Sequence, residues 1–319
     1  MKRSTGVRGL VVVAALALTA AACGDSSSDE ADAAGPSGGD GAGDATTTTT
    51  TTSVPRVPLG EWDTTDPAAV GLDADGLAEL DRLAEETDSN CLLVVRDGAL
   101  VHERYWGDAG PEDDQEIFSA TKSATALIVG IAEDQGHLSV DEPAGTYLTE
   151  WEGTASESVT IRDLLTNTSG RFHDFQTDYP DLGNAEDRSA FAVGLEQEQE
   201  PNTEWIYNNA AIQTLEEIVE RAVGQDFGDF AEENLFAPLG MGVEFSRDVA
   251  GNPTAYFGLR AGCRDMGRLG LLMLRGGTWG DEQVVSSGFV EAASSPSTDL
   301  NAAYGYLWWL NADSGWVHP

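Results

Sequence analysis

The chain has 319 residues, with 55 Asp plus Glu against 17 Lys plus Arg, a formal net charge of −38 and 41% hydrophobic residues. That apolar content over that length can bury a core, which excludes a wholly disordered acidic polymer. A surface this acidic repels phosphate backbones and anionic headgroups, so nucleic-acid binding and polybasic membrane docking are poor readings.

Lys2, Arg3 and Arg8 precede an uncharged apolar run from Leu10 to Ala22 that ends in small residues at Cys23. The run is too short to span a bilayer and reads as a secretory signal over residues 1–22. Ala20-Ala21-Ala22-Cys23-Gly24 resembles a bacterial lipobox, which implies cleavage before Cys23, acyl chains on that residue and anchorage to the outer face of a cytoplasmic membrane. Residues 23–60 then run through Gly, Ser, Asp and Ala to seven threonines at Thr46–Thr52, followed by Pro55 and Pro58. With almost nothing apolar to bury, this stretch is a tether with a reach of about 35 Å. The rest, 61–319, reads as one domain carrying 49 acids and 13 bases.

Leu72, Leu77, Leu80 and Leu83 predict an amphipathic helix, with Asp73 or Asp75 as its cap. Leu92 to Arg96 and Ala99 to Trp106 read as strands joined by Asp97-Gly98, a hairpin signal. Ser119 to Gln135 predicts a helix ended by Gly136, and Ser123 to Ala132 carries no charge, so that helix is expected to be buried on most sides. Thr160 to Leu165, Ala211 to Val223 and Asp265 to Leu274 predict further helices, and the aromatic stretch Tyr304 to Leu310 predicts a strand. Strands near both ends with helices between them imply an α/β (α+β) fold: an antiparallel sheet flanked by helices, with a mostly helical insert.

Of the 17 basic residues 15 are Arg, leaving Lys2 in the expected signal and Lys122 in the domain. Arg cannot lose its proton, whereas a desolvated Lys can become neutral and act as a base. Lys122 opens the uncharged helix, and Ser119 lies three residues earlier on the same face. That spacing lets an amine take a hydroxyl proton during attack on a carbonyl, while the helix start offers N–H groups to the oxyanion. A second element is Tyr207-Asn208-Asn209, directly before a predicted helix: a phenol to share the proton and an amide to grip a substrate carbonyl.

With these motifs the sequence resembles the serine β-lactamase and penicillin-binding-protein superfamily, in particular its class C-like esterases and amide hydrolases of the 6-aminohexanoate-oligomer type. The resemblance runs from Pro67 to Leu310, through Val94-Val95-Arg96-Asp97-Gly98, Ile117 to Ser123, Thr160 to Leu165, Thr168-Ser169-Gly170, Tyr207 to Asn209, and Tyr304-Gly305-Tyr306 before Trp308-Trp309. It implies a β-lactamase/transpeptidase-like fold, with Ser119 as acylated nucleophile, Lys122 as its base or proton shuttle, Tyr207 as second proton-transfer group and Asn209 as substrate contact. The implied substrate is a small-molecule or peptide ester or amide, and no cofactor is implied.

Asn167 stands where such proteins often have His, at a position that reads as structural. The third motif of similar proteins, Lys or His followed one residue later by Gly, has no match, and His318-Pro319 cannot supply it. The expectation is therefore a chain lacking its last strands. A non-hydrolysing binding or sensor lipoprotein on the same fold is the reading from another class. His102 and His173 read as hairpin and loop residues outside the catalysis, and no His/Cys/Asp spacing resembles a metal site. Cys91 and Cys263 form either a disulfide or two buried thiols. Tyr304, Tyr306, Trp308 and Trp309 read as core packing.

Overall fold

The computed structural model describes residues 12–13, 57–58 and 60–310. Cys23, the threonine run, His318 and most of the expected signal lie outside the described residues. Val12–Val13 (β1) lie parallel to the first long strand, opposite Leu92 and Leu93.

Asp73, rather than Asp75, caps α1 (Ala74–Glu86), its carboxylate accepting from Gly76 N at 2.9 Å. The expected hairpin is β2 (Cys91–Arg96) with β3 (Ala99–Tyr105), antiparallel, with a bulge at Val94/Val95. Alternate β2 residues point to opposite faces. Val94 joins Leu77 of α1 and Val101, whereas Cys91 and Leu93 face the main core. That second face is covered by α9 (Cys263–Leu274), and Cys263 is disulfide-bonded to Cys91 across 172 residues. Gly267 of α9 sits so close to the strand that a Cβ there would come within 2.3 Å of Leu93.

Beyond the hairpin, β4 (Gln115–Glu116), β5 (Glu244–Phe245) and β6 (Leu259–Ala261) form a second antiparallel sheet in the order β4-β6-β5, and β7 (Thr278–Trp279) pairs with β8 (Glu282–Gln283). Between these sheets the chain is mostly helical: α3 (Ile161–Leu165), α4 (Leu182–Asn184), α5 (Arg188–Val193), α6 (Asn209–Val223), α7 (Phe227–Ala231) and α8 (Ala237–Leu239). Thr160 and Asp163 close a reciprocal capping box at the start of α3.

The centre of the molecule is α2 (Thr121–Asp134), preceded by a 3-10 turn over Phe118–Ala120. Its uncharged stretch is buried all round: Ala124, Ala126, Leu127, Ile128 and Val129 are all 0% exposed. It packs against α6 on one side and α10 (Ser287–Ala293) on another, where Gly130 lets Phe289 approach to within 2.6 Å of its absent Cβ. Ser119 on the 3-10 turn and Lys122 on the first turn of α2 are thus carried at the end of a buried helix.

One expected element is absent. Tyr304 to Leu310 forms a turn rather than a strand: Gly305 N donates to Trp308 O at 2.9 Å, Leu307 is left-handed at φ 57°, and Tyr304 meets Trp309 in an isolated bridge. The aromatic content that favours a strand is instead satisfied by ring packing, with Tyr304 edge-on to Trp309 at 4.8 Å and to Trp205 at 5.3 Å.

Candidate active site

Phe118, the residue before the candidate nucleophile, is left-handed at φ 49°. A non-glycine residue held there costs about 1–3 kcal/mol and needs surrounding contacts to persist. They are present: Thr121 Oγ1 donates to Phe118 O at 2.6 Å, and the Phe118 ring packs edge-on to Phe257 at 5.4 Å. The kink leaves Ser119 exposed at the start of an otherwise buried helix. Its N–H belongs to the first turn, where N–H groups have no partner within the helix.

Lys122 Nζ lies 3.1 Å from Ser119 Oγ and donates to the Tyr256 carbonyl at 2.7 Å. The side chain is 1% exposed. Burial brings its pKa down to about 7, opposed by the charge of Asp178. Tyr207 completes the group: its ring lies under the amine at 4.7 Å and its phenol shares a hydrogen bond with Ser119. Burial pushes that phenol up to about 12, so it is a neutral O–H donor near pH 7. The ring is stacked on Trp309 at 5.9 Å.

Asn209, the first residue of α6, is buried and its Nδ2 donates to Asp178 Oδ2 at 2.9 Å, leaving one N–H and the carbonyl oxygen of the amide. Asn208, between it and Tyr207, caps the helix: its Oδ1 accepts from Ala211 N at 2.8 Å while its Nδ2 donates to Arg171 O and Phe172 O. Asn167 Oδ1 accepts from Asn208 N at 3.2 Å, a structural link.

Ser119, Lys122 and Tyr207 are therefore brought together, and Asn209, two residues after Tyr207, is bonded to Asp178. His102 is remote, bonded to Asp81 at 2.7 Å, whereas His173 Nε2 lies 3.7 Å from Asp178 Oδ2. Two parts of the site were not legible. Asp178 is one of 55 acids, with no spacing to distinguish it. The Tyr256 carbonyl is backbone, which composition never reveals. Tyr256 lies in a segment pinned from three helices: Thr125 Oγ1 donates to Ala255 O, Gln213 Oε1 accepts from Ala255 N, and Arg188 donates to Thr254 Oγ1.

The chain is similar to several known proteins. The 6-aminohexanoate-dimer hydrolase of Paenarthrobacter ureafaciens is 27% identical over 263 residues, covering 75% of this chain and 66% of that protein. Penicillin-binding protein 4* of Bacillus subtilis strain 168 is 33% identical over 170 residues, covering 47% of this chain and 36% of its own. The chain thus spans less than two thirds of the length of either relative. Among solved structures, the octameric penicillin-binding protein homologue from Pyrococcus abyssi superposes with a TM-score of 0.60 at 21% identity, over 74% of this chain and 64% of that one. The beta-lactamase family model matches residues 82–318, which takes in Ser119, Lys122, Tyr207 and Asn209, and the chain belongs to the beta-lactamase family.

Proposed function

We propose that this protein is a serine hydrolase that opens an ester or amide, of a small molecule or a peptide, through an acyl-enzyme at Ser119. The observation that carries the reading is the buried Lys122 amine, 3.1 Å from the exposed Ser119 hydroxyl and near half-neutral at pH 7. As the neutral amine it keeps one N–H on the Tyr256 carbonyl and turns its lone pair to the Ser119 proton. The hydroxyl oxygen then adds to the substrate carbonyl, and the proton passes to Nζ. Ser119 N–H donates to the developing oxyanion, and the remaining Asn209 N–H grips the substrate's acyl group. When the tetrahedral intermediate collapses, the Tyr207 O–H protonates the leaving oxygen or nitrogen and is reprotonated from the Lys122 ammonium. Water repeats the sequence on the ester to release the acid. Tyr207 is assigned the donor role because its phenol holds its proton far above the pH at which Lys122 loses one.

Labelling with a fluorophosphonate and with a fluorescent penicillin, followed by peptide mass spectrometry, tests this. An adduct on Ser119 that turns over supports the hydrolase. A permanent penicillin adduct supports a binding or sensor protein, and no adduct on Ser119 with either probe removes the nucleophile assignment. We further propose export and lipid anchorage at Cys23, supported by the lipobox-like sequence Ala20-Ala21-Ala22-Cys23-Gly24. Loss of metabolic palmitate incorporation in Cys23→Ser is the expected result, and retained incorporation removes the anchor.

A further inference from the structure

Behind Lys122 lies a carboxylate that the reaction above does not use. Asp178 sits on the π-helical turn Thr177–Asp181 and is 1% exposed. Oδ1 accepts from Ala210 N at 2.8 Å and Oδ2 from Asn209 Nδ2 at 2.9 Å, so the first turn of α6 holds both oxygens. A helix start favours an anion, but a neutral Asn, Ser or Thr serves equally well as a cap, as Asn208 and Thr160 do here. Burying a full negative charge is costly unless that charge is used.

The groups around it say what the use is. The charge of Asp178 is felt by Lys122 of α2, by Tyr207 two residues before α6 and by Tyr256 of the 253–257 segment, while His173 approaches from its own loop at 3.7 Å. Among the described residues His173 is its one ion-pair neighbour within 4.0 Å. Lys122 in turn contacts Ser119, Tyr207 and Tyr256 and feels the charge of Asp178. The cation that forms when Lys122 takes the Ser119 proton thus arises in a buried space whose opposing charge is this carboxylate.

We propose that Asp178 is a positioning residue of the site, fixing the Asn209 amide and opposing the Lys122 ammonium with a buried negative charge. Burial pushes the Asp178 carboxyl up, and the bonds from Ala210 and Asn209 with the charges of His173 and Lys122 draw it back down; it moves no proton, since Ser119 gives one to Lys122 and Tyr207 gives one to the leaving group. The proposal rests on the acyl-enzyme reading above, and its test does not depend on turnover. Lys2 and Lys122 are the only lysines, so carbon-13 lysine labelling of the full chain gives two side-chain signals, and Lys122→Arg identifies the second.

Titrating that signal by NMR in wild type and in Asp178→Asn reads the coupling directly. Loss of the anion makes the ammonium harder to hold, so the Lys122 midpoint is expected to fall by about half a pH unit or more. Exchanging the two groups, Asp178→Asn with Asn209→Asp, restores one carboxylate against one amide and is expected to bring the midpoint back toward wild type. Asp178→Ser carries the same test if the amide is not tolerated in the fold. A midpoint unchanged or raised in the neutral variants overturns the proposal, as does one that His173→Gln lowers to the same extent. Failure of Ser119 to label in wild type removes the acyl-enzyme reading instead, whatever the titration gives.

Discussion

Lys122 donates to the carbonyl of Tyr256 across 134 residues of sequence. The bond gives the amine a fixed partner that cannot change charge, so the nitrogen stays beside Ser119 in either protonation state. Burial removes water from the same nitrogen, and its proton affinity falls to about 7. Fluorophosphonate labelling of Ser119 is therefore expected to rise with pH as the amine loses its proton, about tenfold per unit below pH 7, and to level off above pH 8. Lys122→Arg keeps a cation that cannot act as a base and is expected to slow fluorophosphonate labelling by about 10²–10⁴-fold. A labelling rate flat from pH 5 to 9 in wild type contradicts the role.

Much of this was legible because it rests on local rules. The Ser119 to Lys122 spacing lies within one helical turn, the charge-free stretch announces a buried helix, and Asp97-Gly98 announces the hairpin. What was not legible is non-local. Asp178 reaches the site only because a π-helical turn, interrupted by Pro180, packs on the start of α6. The Tyr304 to Leu310 stretch has strand-like composition, yet its rings found partners in Trp205 and Tyr207, and the left-handed Leu307 turned the backbone back on itself.

Asn208 is the hinge between Tyr207 and Asn209, and its side chain bonds in two directions. It caps α6 through Ala211 N and ties the helix to Arg171 O and Phe172 O. Asn208→Ala leaves these buried groups without their partners and is expected to cost about 2 kcal/mol or more, the cap alone accounting for about half of that. Urea unfolding measures the loss. Labelling of Ser119 should slow as well, because both flanking residues belong to the site; unchanged stability and labelling together would reject this account of the motif.

Glu216 offers a separate pH signature away from Ser119. It is 1% exposed on α6, accepts from Ser189 Oγ, and burial pushes its pKa up to about 8. The folded protein therefore binds a proton that the unfolded chain releases near 4.5, and this group's contribution to stability falls between about pH 4.5 and 8. Lys122 works in the opposite sense over a higher window, since its folded-state value lies below the ordinary 10.5: its burial cost is full below pH 7 and is relieved toward 10.5. Glu216→Gln keeps the shape of the neutral acid and is expected to flatten the lower window, where the slope approaches about 1.4 kcal/mol per pH unit. Denaturant titrations of both proteins at pH 5, 6.5 and 8 measure it, and parallel curves would show that Glu216 does not titrate in the fold.

The Cys91–Cys263 bridge joins the first residue of β2 to the first residue of α9, closing a loop of 172 residues. Within that loop lie Ser119, Lys122, Tyr207 and Tyr256, so the whole proposed site sits on chain whose ends the bridge holds together. A crosslink over so long a loop stabilises mainly by restricting the unfolded chain, by about 2–4 kcal/mol in practice. Replacing both cysteines with Ser should lower stability by that amount, while the Ser119 to Lys122 geometry, set by the 3-10 turn and the start of α2, stays intact. Labelling of the folded double variant at low temperature is therefore expected to match wild type, with its loss of activity appearing only as the midpoint of thermal unfolding is approached. Labelling already impaired well below that midpoint would mean instead that the bridge shapes the site directly, through the packing of α9 on β2.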